Sequence, residues 1–197
     1  MTLCLMAICL VCSALLAGVY ALTAEPIAAA AAAKNEAAIK EVLPETAVAI
    51  EEERTVDMEG QTYSYNLAYD EQGNTVGCSI NVSTLGFGGP IIIKVGFNAE
   101  GLIWNTKVLS QAETPGLGAK CTESAFADQF KQFNPAQKSL KVKKDGGDVD
   151  AITASTITSR AYSNGLAVAV NVFNTIVGTP MPLEDASVIP SEVEESK

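Results

Sequence analysis

Four of the six residues from Thr153 to Thr158 carry a hydroxyl, and Asp150 stands just before them. Ser159-Arg160-Ala161 follows and opens a long apolar run with helical spacing, so a helix is expected from Thr158 to Ile176. A phosphate ester at the start of that helix would meet unpaired backbone N–H groups and the positive end of the dipole. The hydroxyls of Thr153, Ser155 and Thr158 can add donors there. A threonine hydroxyl is a poor nucleophile without an adjacent base, and the chain contains no histidine. Esterification would therefore need a separate enzyme. Taken alone, such a cluster is the N-cap region of a helix. Two further segments give it a second meaning.

Glu113-Thr114-Pro115-Gly116-Leu117-Gly118 combines a carboxylate, a hydroxyl and two glycines around one leucine. Gly86-Phe87-Gly88-Gly89-Pro90 places an aromatic residue among three glycines. Glycine permits turns and close backbone approach that other residues do not. Neither segment is a nucleotide-binding fingerprint of another kind. The third glycine of G-x-G-x-x-G would fall on Ile91, and no G-x-x-x-x-G-K-[ST] occurs.

Together the three segments resemble the FMN-binding domain family. Its attachment motif is Ser/Thr-Gly-Ala-Thr-x-Ser/Thr, and its second signature is Glu-Thr-Pro-Gly-Leu-Gly. Val149-Asp150-Ala151-Ile152 and Thr158-Ser159-Arg160-Ala161 look like the G subunit of the Rnf ion-translocating complex. The resemblance implies FMN held covalently through Thr156, with Thr153, Ser155 and Thr158 around its phosphate. It implies Leu117 as a cover for the ring, Glu113 or Thr114 at the ring's polar edge, and Gly118, Gly86 and Phe87 as further contacts. It also implies a flavin transferase for maturation. Ala154-Ser155 stands where the family has Gly-Ala. Glycine there would serve a φ > 0 turn or close approach to the phosphate.

Residues 1–22 form an uncharged apolar run. That length suits one helix across a bilayer core of about 30 Å, and it exceeds the about 7–15 apolar residues of a signal peptide. No Lys or Arg occurs before Lys34, so the positive-inside rule has nothing to act on. The family implies a short basic segment there, and the expectation is a natural start further upstream. Residues 23–44 read as an alanine-rich helical stalk starting near Pro26 and stopping before Pro44.

Residues 45–180 suffice for one domain with its own core. Alternation predicts a hairpin from Tyr63–Tyr69 and Val76–Val82 around Asp70–Asn74, and a second from Ile91–Phe97 and Leu102–Leu109. Phe126, Phe130 and Phe133 predict a helix, and Ser139–Lys143 a short strand. The order implies an α+β fold of antiparallel strands and helices behind one transmembrane helix, and the resemblance implies that it is a single FMN-binding domain. Residues 181–197 read as a mobile acidic tail.

The five cysteines make no metal framework, and the absence of C-x-x-C-H and of histidine excludes c-type haem and Ser-His-Asp chemistry. Cys78 and Cys121 are expected to be buried free thiols. A net charge of −10 argues against a nucleic-acid partner. The leading expectation is an electron-transfer subunit of an Rnf-type ferredoxin/NAD oxidoreductase. Its partners would be the other membrane subunits, and its domain would sit on the periplasmic face of a bacterial inner membrane. Two alternatives are the C subunit of a sodium-pumping NADH:quinone reductase and a non-redox membrane-anchored binding module. Ala154-Ser155 favours the last.

Overall fold

The computed structural model describes residues 2–178, and the expected acidic tail lies outside the described residues. The chain forms two compact units, one up to Ala37 and one from Ala38 onward. The first unit is the greater part of α1 (Thr2–Val42). This helix is long and apolar enough to cross a membrane, with a mean hydropathy of 2.4 over its most apolar stretch. It runs straight through Pro26 rather than restarting there. Proline removes the bond to the carbonyl four residues back and crowds that carbonyl, but the alanines that follow have the highest helix propensity of any residue. The helix stops at Val42, before Pro44, as the sequence predicts.

The second unit is a six-stranded antiparallel sheet carrying one long helix. Its strands are β1 (Ala49–Ile50), β2 (Arg54–Met58), β3 (Gln61–Tyr69), β4 (Thr75–Leu85), β5 (Pro90–Asn98) and β6 (Ile103–Ser110). The spatial order is β1-β3-β4-β5-β6, with β2 also paired to β3. Both expected hairpins form. A third, β2–β3, lies outside what the alternation predicts. It turns at Glu59-Gly60, where both residues have positive φ.

Helix α3 (Thr156–Val177) packs across one face of the sheet, most extensively on β4. The core between them contains Ile80, Val82, Ile93, Val95, Phe97, Leu166, Val170 and Phe173. Phe97 stacks on Phe173 with centroids 4.8 Å apart. The Tyr162 hydroxyl, fully buried in α3, donates to Thr106 Oγ1 at 2.8 Å. On the opposite face, Ile39, Val42 and Leu43 pack with Ala68. A side chain at Gly96 would bring its Cβ within 1.9 Å of the Val42 carbonyl oxygen, so the strand must be bare there.

The expected phenylalanine helix is mostly absent. Only α2 (Ser124–Ala127) is α-helical, followed by a 3-10 turn over Asp128–Phe130. Phe133 instead pairs with Ile103 of β6 in an isolated antiparallel bridge. Packing overrides the helical spacing, because the Phe126 and Phe130 rings meet Tyr162 at 5.2 and 5.1 Å. The expected strand at Ser139–Lys143 reduces to one bridge, Val142 with Val149, because a 3-10 turn begins at Lys143. Cys78 and Cys121 are buried free thiols, and burial pushes them up to about 12 and about 11.

Candidate functional site

Glu113 ties the three chemistry-bearing segments into one place. It lies just after β6 and is only 6% exposed. Its Oε1 accepts the Gly88 N–H at 2.9 Å, and its Oε2 accepts the Thr158 hydroxyl at 2.7 Å. The partners are 25 and 45 residues away in sequence. The fit around the carboxylate demands small neighbours. A Cβ at Gly86 would come within 2.1 Å of Oε1, and one at Gly118 within 2.2 Å of Oε2. A side chain at either position would push the carboxylate away from its two hydrogen bonds.

The same arrangement joins two of the expected site residues to each other. Glu113 has both oxygens engaged by hydrogen bonds within the protein. Thr158 is fully buried with its hydroxyl hydrogen given to Glu113. Both also line the site that they brace. What they frame is a cleft of about 360 Å³. Phe87, Thr114, Leu117, Ala154, Ser155, Thr156 and Ile157 line it beside Glu113, Gly118 and Thr158. Phe87 and Leu117 stand 72% and 42% exposed at its rim. Thr153 is exposed and is not among the lining residues, and Gly86 sits behind Glu113.

Helix α3 begins at Thr156, two residues before the expected start. Ser155 occupies the cap position but makes no side-chain cap bond. The simple N-cap reading of the hydroxyl cluster therefore lacks its defining interaction. The loop is held instead by Ser159, which the motif pattern does not single out. Its hydroxyl donates to the Ser155 carbonyl and accepts the Ile152 N–H, both at 2.9 Å. The signal for it is its place in the first turn of an otherwise apolar helix, where a serine can reach back to the preceding loop.

Ala154 has φ 62°, the left-handed region that favours glycine. The turn thus has the conformation for which glycine is best suited, with alanine in its place. Ala154→Gly is expected to stabilise the protein by about 1 kcal/mol. That corresponds to a rise of about 3 °C in melting temperature for a domain of this size. A lower melting temperature would show that the alanine methyl makes packing contacts worth more than the strain.

Cations gather beside the helix start. Arg160 donates to both oxygens of Asp145 at 2.7 Å, which holds the Asp145 carboxyl below the usual carboxylate range. Lys143 reaches Asp150 at 2.8 Å. Lys144 donates to Thr156 Oγ1 at 3.3 Å. Among the described residues no cluster of His, Cys, Asp and Glu could hold a metal ion.

Residues 86–171 match the FMN-binding domain family, and residues 2–42 match the RnfG N-terminal region. The G subunit of the ion-translocating oxidoreductase complex of Methanosarcina acetivorans is 34% identical over 164 residues, covering 82% of this chain and 86% of that protein. The chain belongs to the family of G subunits of ion-translocating oxidoreductase complexes. The family resemblance read from the motifs is thereby borne out. The G subunit of Shewanella piezotolerans is 39% identical over 116 residues, 54% of either chain. The G subunit of the Na⁺-translocating ferredoxin:NAD⁺ oxidoreductase complex of Acetobacterium woodii is 33% identical over 109 residues, covering 53% of this chain and 52% of that one. This chain's match thus spans about half the length of these two G subunits. Among solved structures, the C subunit of the Na⁺-translocating NADH-quinone reductase of Parabacteroides distasonis aligns with a TM-score of 0.51 at 21% identity. The alignment covers 66% of this chain and 79% of that one. That likeness establishes the α+β fold of this G-subunit relative and no more.

Proposed function

We propose that Thr156 carries FMN as a phosphate ester, and that the chain is the electron-transfer subunit of an Rnf-type complex linking ferredoxin and NAD to ion movement. The observation that carries this reading is the position of the Thr156 hydroxyl. It sits at the uncapped start of α3, on the wall of the cleft that the other two motifs complete. The residues fit the group. Uncapped helix N–H donors and a lysine suit a phosphate. Phe87, Leu117 and Ile157 suit an apolar ring system. When bound, FMN supplies the redox chemistry, passing electrons singly or in pairs.

The chain's own part is positioning. Ser155 and Thr156 offer hydroxyls on the cleft wall, and Thr153 offers one outside it. Thr114 lines the cleft, and its carbonyl accepts the Leu117 and Ala119 N–H groups, fixing the turn that carries Leu117. The chain has no histidine to activate Thr156, so a flavin transferase performs the attachment. The donor must be an activated flavin nucleotide with a pyrophosphate. The Thr156 oxygen bonds to the flavin-side phosphorus, the pyrophosphate P–O bond breaks, and a nucleoside monophosphate leaves. The hydroxyl proton passes to a base of the transferase. α1 serves as a single-pass anchor, and the second unit lies on the periplasmic side.

The test is peptide mass analysis of the protein from an exporting host that co-expresses a flavin transferase. The peptide containing Thr156 is expected to gain the mass of FMN less one water. Recovery of that peptide entirely unmodified would overturn the proposal.

A further inference from the structure

We propose that Lys144 is the cation that grips the phosphoryl group on Thr156, an assignment that rests on the flavin-tether reading above. Its ammonium already donates to the Thr156 hydroxyl oxygen at 3.3 Å, although 12 residues separate the two. The approach is built into the fold from both sides. Lys144 lies in the 3-10 turn Lys143–Asp145, and the next residue is clamped in two-pronged fashion by Arg160. Arg160 follows Thr156 by four positions on α3, which puts it on the same face of the helix. The brace and the attachment residue therefore share one surface, and the brace fixes the turn that presents Lys144.

The neighbouring cations are committed elsewhere. Lys143 pairs with Asp150, and Arg160 with Asp145. Lys144 stands near enough to Asp145 to help lower its carboxyl, but gives its hydrogen bond to a hydroxyl, which uses one of its three donors. A phosphodiester formed on that hydroxyl brings a negative charge and two non-bridging oxygens to the ammonium. The bond then becomes charge-assisted at both ends, which makes it shorter and stronger. Held by the lysine as well as by the helix start, the phosphoryl group loses freedom to rotate about the ester bond.

The experiment compares the full-length protein in detergent, flavinylated and unmodified, with its Lys144→Gln, Lys144→Arg and Lys143→Gln variants. Two quantities are read: the ³¹P resonance of the phosphodiester, and peptide-resolved acylation of lysine amines. Labelling of Lys144 is expected to fall about threefold on flavin attachment, the scale of an exposed ion pair, with Lys143 unchanged. The ³¹P resonance should move in Lys144→Gln, return toward wild type in Lys144→Arg, and stay in place in Lys143→Gln. Equal Lys144 labelling with and without flavin, together with one resonance position in all variants, would overturn the assignment while leaving the tether intact. A wild-type protein that never acquires flavin on Thr156 would remove both.

Discussion

Thr156→Ala is expected to abolish covalent flavin completely, while Thr153→Ala leaves it in place. The two hydroxyls are three residues apart but differ in setting. Thr156 lines the cleft at the first helical residue of α3, whereas Thr153 is exposed on the preceding turn. Fluorescence of the denatured protein in a gel reads the outcome directly, because only a covalent flavin survives denaturation. Thr156 is half-buried and its hydroxyl accepts only the exposed Lys144. The fold should therefore tolerate the alanine, and the melting temperature of the unmodified proteins should agree closely. Flavin retained in Thr156→Ala would move the attachment point to another hydroxyl of the cluster.

Glu113→Ala is expected to cost about 2 kcal/mol, because it strands a buried hydroxyl and takes the partner from a part-buried N–H. The N–H is that of Gly88 and the hydroxyl that of Thr158. Thermal unfolding of the full chain in detergent reads this loss. Glu113→Gln separates geometry from charge. The amide oxygen still accepts from Gly88, and the Thr158 hydroxyl can turn to accept from the amide nitrogen, so stability falls by only about 1 kcal/mol. With flavin attached, the glutamine variant should show a higher midpoint potential. A carboxylate on the cleft wall opposes an added electron, and the amide does not. Matching potentials would mean that the carboxylate is neutralised or screened from the cofactor.

The hydroxyl cluster at Thr153–Thr158, the Glu113 loop and the Phe87 loop were legible in the sequence because each is a local pattern of turn residues and hydroxyls. Their meeting point was not. Glu113 finds its partners 25 and 45 residues away, and no spacing rule marks such a contact. Lys144 was hidden for the same reason: its place beside Thr156 depends on the clamp between Arg160 and Asp145. The left-handed turn at residue 154 was half legible. The family pattern asked for glycine, and the backbone adopts that conformation with alanine. Regular strands with Asp70–Asn74 and Asn98–Gly101 turns were clear, whereas the β2–β3 turn carries a weaker mark. Its Glu59-Gly60 pair puts a glutamate where asparagine or aspartate is the usual signal. Phe126, Phe130 and Phe133 mislead because their spacing fits a helix, while the first two rings serve a cluster around Tyr162 and the Phe133 backbone bridges to β6.

That bridge bears on association between copies. β6 is an outer strand of the sheet, and such a strand normally offers a ladder of unpaired amides and carbonyls to any passing chain. Here Ile103 exchanges both backbone bonds with Phe133, and the Trp104 carbonyl accepts the Gln132 N–H. A chain anchored by α1 would be confined to a plane, where like molecules collide far more often than in bulk solution. By occupying the start of its own sheet edge, the domain shortens the template that neighbouring copies would have for strand addition.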